Sequence, residues 1–213
     1  LIGTGTLPVT MIVGGLLSGL SFLQIVLQSL PVLLFCFLLM FGIWRFPEQT
    51  VRAFTVFADV IRLLTTIGLI AGAFCYMTGF SLLPDLAPLE DAMAVVSSIG
   101  IVLLGSLPTA ELLQRVLKKP LSFIGRKTGM NDSSAAGLLM GIVSPVPAIT
   151  MMEKMDERGK IVNAAFLVSA ASTIAAHMGF TFDPDFVVPL LVAKLAGGIA
   201  AVCAALFFTK KSA

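Results

Sequence analysis

Apolar residues run along this chain in blocks close to the ~20 residues a helix needs to cross the hydrocarbon of a bilayer, and the gaps between blocks carry most of the charge. Six blocks read as spans: 1–20, 25–44, 60–79, 92–112, 161–180 and 187–208. Helices are the expected form, because an open strand cannot satisfy its own backbone groups in lipid. The fold class is therefore an all-α membrane protein, a polytopic helical bundle occupying 1–213 as one transmembrane domain. The chain opens at Leu1, inside an apolar block and without Met, which reads as a piece of a longer protein.

Charge orients the blocks. Lys and Arg occur between the second and third spans (Arg45, Arg52, Arg62), after the fourth (Arg115, Lys118, Lys119, Arg126, Lys127), at Lys154, Arg158 and Lys160, and in the tail. The stretches 80–91 and 181–186 hold Asp85, Glu90, Asp91, Asp183 and Asp185 but no cation. By the positive-inside rule the cationic loops face the cytoplasm and the two acidic ones face out. Residues 114–132 and 153–160 then share one side, so the apolar stretch between them must enter, turn and leave.

That stretch, "LLMGIVSPVPAITMMEKMDERGK", carries Pro145 and Pro147 where it should turn. In a continuous helix Pro145 would strip the carbonyl of Gly141 of its donor, and Pro147 that of Val143. Free carbonyls at membrane depth need protein, water or a ligand. A half-helix over 134–143 would aim its partially negative end at the midplane, an arrangement suited to a cation. Gly141, Val143, Ser144, Pro145 and Pro147 are thus candidate substrate-site residues; the alternative is an ordinary proline-kinked helix.

Other polar groups inside spans extend the candidate site. Ser169, Thr173 and His177 fall on one helical stripe at i, i+4 and i+8, and such a stripe should face the bundle. His177 reads equally as a structural hydrogen-bonding partner. Lys194 is the one cation well inside a span, either a gating or carbonyl-capping group or a side chain that snorkels to the interface. Asn163 reads as a hydrogen bonder at the start of its helix. Gly197 and Gly198 read as close-packing positions. Asp59 with Arg62 and Glu111 with Arg115 read as surface pairs of little value. Trp44 and Tyr76 sit where aromatic belts lie.

Hydrophobic residues form 57% of the chain, charged residues 12%, and the net charge is +2, too small to indicate a nucleic-acid partner. Cys36, Cys75 and Cys203 all fall in apolar blocks, so neither a disulfide nor a metal site is expected, and no cofactor is implied. HExxH, CxxC and a phosphate-binding glycine loop are lacking. A serine hydrolase using Ser18 with His177 is the remaining enzyme reading, with no oxyanion hole in sight. A channel with a re-entrant selectivity segment is a closer alternative.

The stretches "FPEQTVRAFTVFADVIRLLTTIGL", "SSIGIVLLGSLPTAELLQRVLKKPL", "MMEKMDERGKIVNAAFLVSAA", "AHMGF" and "VAKLAGG" together resemble the C-terminal half of the ethanolamine utilisation permease family, EutH. The resemblance covers nearly the whole chain. It implies an inner-membrane transporter, not an enzyme, whose cargo is ethanolamine or a similar small protonated amino alcohol, and whose N-terminal half is missing here. Two positions depart from the family pattern: Ser144 and Pro145 stand where relatives usually carry an Asn pair, and Ala176 stands where they carry an acidic residue. No buried carboxylate marks a coupling ion, which favours facilitated diffusion. The oligomeric state is not legible.

Overall fold

The computed structural model describes residues 1–80, 88–116, 118–174 and 184–209. Among these, all regular structure is helical: α1 Ile2–Leu17, α2 Phe22–Arg45, α3 Pro47–Thr78, α4 Leu89–Val116, α5 Lys118–Thr128, α6 Asp132–Val143, α7 Pro145–Met151, a 3₁₀ turn Met152–Lys154, α8 Glu157–Ala170 and α9 Pro184–Phe208. Three of the described helices, α2, α3 and α9, are long and apolar enough to cross a membrane. The apolar α1 and α6 are shorter. The protein is an all-helical membrane protein.

Several boundaries differ from the sequence reading for local reasons. Helix α3 starts at Pro47 rather than near 60, because proline at a first helical turn loses no hydrogen bond and Glu48 meets the positive end of the helix. It ends at Gly79, whose left-handed φ of 70° closes the last turn. Helix α8 stops at Ala170, ten residues short of the expected span end, and Ser172 then takes a positive φ of 54°. The surface pairs Asp59–Arg62 and Glu111–Arg115 form as expected, with both partners mostly exposed.

The chain divides into two compact units, Phe37–Ser98 on its own and Leu1–Cys36 together with Ile99–Ala213. The second contains the core, in which α1, α8 and α9 pack together and α6 packs on α8. Small residues permit this. Along α9, Ala193, Gly197, Ala201 and Ala205 recur every fourth position and are all buried. A Cβ on Gly197 would land on the Thr10 hydroxyl, and one on Gly198 would lie 2.7 Å from the Ala170 Cβ. A Cβ on Gly3 of α1 would lie 2.5 Å from the Ala165 carbonyl oxygen. Lipid supplies no hydrophobic drive between helices, so close backbone approach through small residues is what holds such a bundle.

Candidate functional site

The site is built from the amino end of α6 upward. Asn131 caps that helix, its Oδ1 accepting the Ser134 N–H at 2.8 Å. Asp156 caps α8 in the same way through the Gly159 N–H at 3.2 Å. The two caps are joined. Asp156 Oδ1 accepts the Asn131 N–H at 2.9 Å and lies 2.6 Å from the Ser134 hydroxyl, while Asn131 Nδ2 donates to the Lys154 carbonyl at 2.9 Å. A Cβ on Gly159 would collide with that hydroxyl, so only glycine fits there. Burial acts to raise the Asp156 pKa, but the hydrogen bonds from Ser134, Asn131 and Gly159 outweigh it and hold the carboxyl below its ordinary range. Just inside the latch, the fully buried Asn163 donates to the carbonyls of Ser134 and Gly159, both at 2.9 Å.

The latch fixes the path of the segment between its ends. Residues 131 and 154–156 touch, so the chain from α6 through α7 leaves and returns to one place. Two ends bonded to each other cannot lie on opposite sides of a bilayer, so the stretch turns back on itself and does not cross as one span.

From the latch α6 and α8 run side by side in one direction. Their twelve and fourteen residues reach about 18 and 21 Å, short of the ~30 Å hydrocarbon thickness. Both then break at the same level. Ser144 is extended, with φ −151° and ψ 135°, and the chain after Ala170 turns through 171–174. The breaks are stitched together: the Ser172 N–H donates to the Gly141 carbonyl and the Ile174 N–H to the Ile142 carbonyl, both at 3.0 Å.

This geometry corrects parts of the sequence reading. The Gly141 carbonyl is not free, because the second break supplies the donor that Pro145 lacks. The prolines do not interrupt a helix; they occupy the first and third positions of α7, where no intrahelical donor is required. Among the described residues none donates to the carbonyl of Val143, whose side chain is buried against Met140 and Val102. Ser144 and both prolines are half-buried.

The Ser169–Thr173 stripe does not exist as a helical face. Ser169 is buried in the last turn of α8 with no partner for its hydroxyl among the described residues, whereas Thr173 is buried in the turn beyond and donates to the Ala170 carbonyl at 2.6 Å. His177, and Ala176 before it, lie outside the described residues. Lys194 is half-buried on α9 and makes no hydrogen bond or ion pair among the described residues; of the two carbonyls it could have capped, that of Gly141 is met by backbone. Reading from sequence missed Thr10, whose buried hydroxyl also lacks a partner, and missed Asn131, Ser134 and Asp156 as a unit. The capping pattern "NDSS" with "MDERG" was the available signal.

The model of the family described as "Ethanolamine utilisation protein, EutH" matches residues 1–208. The chain is 37% identical over 98% of its length to the "Probable ethanolamine permease EutH" of Listeria monocytogenes, covering 57% of that protein. It is 33% identical over 99% of its length to the protein of that name from Escherichia coli, covering 58% of it. An "Uncharacterized protein YxeR" of Bacillus subtilis is 30% identical over 98% of the chain. The chain thus spans a little over half the length of these relatives, and no solved structure matches it. With a match along almost every residue, the chain belongs to the EutH family of ethanolamine utilisation proteins.

Proposed function

We propose that this chain forms part of a permease that lets ethanolamine, or a similar small protonated amino alcohol, enter across the bacterial inner membrane. The observation that carries this reading is the meeting of two broken helices at one level inside the bundle. Helices α6 and α8 both point their carbonyl ends at the break. Each end bears roughly half a negative charge, so together they favour an ammonium group without any carboxylate. Residues 133–152 and 158–174 contain no Asp or Glu, which fits a carrier for a cation that does not exchange a proton. The carbonyl of Val143 is the acceptor this site offers to the ammonium. Ser144, Pro145 and Pro147 shape the break around it, and Gly141 and Thr173 help to stitch it.

The reading is tested by uptake of labelled ethanolamine at acidic pH, where the freely permeant neutral form is scarce, using the full-length protein against empty membrane. Saturable uptake with counterflow is expected. Unsaturable flux would mean a pore, and flux no greater than that of empty membrane would remove the proposal.

A further inference from the structure

The break accounts for the ammonium end of the proposed cargo but leaves two buried hydroxyls unexplained. Ser169, 3% exposed, and Thr10 each bury a hydroxyl oxygen that has no hydrogen-bond partner among the described residues. They come from different helices, α8 and α1, and meet at one point on a third. At Gly197 of α9 the position a Cβ would occupy coincides with the Thr10 hydroxyl and lies 3.1 Å from Ser169 Oγ. Threonine and serine in membrane helices ordinarily donate back to a carbonyl one turn earlier, as Thr6 and Ser98 do here. Thr10 and Ser169 do not. A buried hydroxyl without a partner keeps its full desolvation cost, and two side by side are hard to explain as packing.

We infer that Thr10 and Ser169 form a receptor for the hydroxyl of the transported amino alcohol, the neutral counterpart of the carbonyl site at the break. This rests on the permease reading above. The valences fit: a substrate hydroxyl has one proton to give and lone pairs to accept with, so one serine or threonine oxygen accepts from it while the other donates to it. Ser169 also lies in the last turn of α8, next to the point where the chain breaks. Gly197 belongs to the device, since any side chain there would displace the Thr10 hydroxyl. A pair of hydroxyls left unmatched by a substrate lacking its own hydroxyl is a strong basis for rejecting simple alkylamines.

The test uses the full-length protein and compares ethanolamine with ethylamine, which keeps the ammonium and lacks the hydroxyl. Half-saturation for ethanolamine uptake and inhibition of that uptake by ethylamine are measured in wild type, Thr10→Val, Ser169→Ala and Thr10→Ser. In wild type ethylamine should compete poorly. Thr10→Val and Ser169→Ala should each weaken ethanolamine by about tenfold, the scale of one neutral hydrogen bond, while ethylamine is unchanged or tighter. Thr10→Ser, which keeps the hydroxyl and vouches for the fold, should retain discrimination. Equal shifts for both amines, or none for either, would overturn the hydroxyl receptor while leaving the permease reading intact. Absence of saturable ethanolamine uptake in wild type would overturn both.

Discussion

At the residue scale the latch shows how few atoms decide the position of the re-entrant segment. Asp156 accepts from the backbone of Asn131 and Gly159 and faces the Ser134 hydroxyl, and these contacts hold its carboxyl below the ordinary range despite burial. A carboxylate of this kind adds stability that is fully present above its unfolded value and is lost as the pH falls through its lowered folded value. Asn caps a helix as well as Asp but carries no charge. Asp156→Asn should therefore melt earlier than wild type above about pH 4, by about 1 kcal/mol, and the gap should close in stronger acid. Thermal unfolding in detergent across that range checks the sign. Gly159→Ala drives a methyl into the Ser134 hydroxyl and should cost about 2 kcal/mol near neutral pH in the same assay. Lys194 has no partner among the described residues, so Lys194→Met should leave folding intact. If it acts on a gate, the variant lowers maximal uptake severalfold with half-saturation unchanged, and normal uptake would return the residue to a snorkelling role.

At the element scale the out-and-back path of α6 and α7 is held twice. The caps join its ends, and the bonds from Ser172 and Ile174 hold its tip. The path does not depend on the prolines alone. Single cysteines at Asp132 and Glu153, both exposed and close to the latch, should react with an impermeant thiol reagent from the same face and only from the cytoplasmic one. Opposite labelling would mean that the stretch crosses. The same result is expected in a Pro145→Ala, Pro147→Ala background, where a proline-kinked helix would instead straighten and separate the two positions.

At the scale of the whole molecule the proposed site is a place for one positive charge, formed by helix ends and free of carboxylates among the described residues around the break. A carrier of this kind moves a net charge with each turnover. Moving one charge through 100 mV is worth about 2.3 kcal/mol, so a negative-inside potential of that size should drive roughly fiftyfold accumulation of ethanolamine in proteoliposomes. A proton gradient without a potential should drive none. Accumulation that follows the proton gradient would reveal coupling, and with it an ionisable group outside the break.

The charge pattern by itself determined that the chain is a helical membrane protein and that the "SPVP" stretch returns to the side it came from. Both follow from local physics, namely the length of an apolar block and the side on which Lys and Arg stay. The cap residues Asn131 and Asp156 were also open to reading, since each precedes a helix and takes its own helix's N–H groups. Only tertiary structure decided that the caps bind each other, that α8 breaks at Ala170, and that Ser172 fills the Gly141 carbonyl. Nothing near Ala170 in the sequence signals a break: no proline or glycine lies between 160 and 178, and Ser172 takes a left-handed conformation that serine rarely adopts. That conformation exists because a carbonyl some thirty residues away in sequence needed a donor, and a demand between distant segments leaves no period or spacing along the chain.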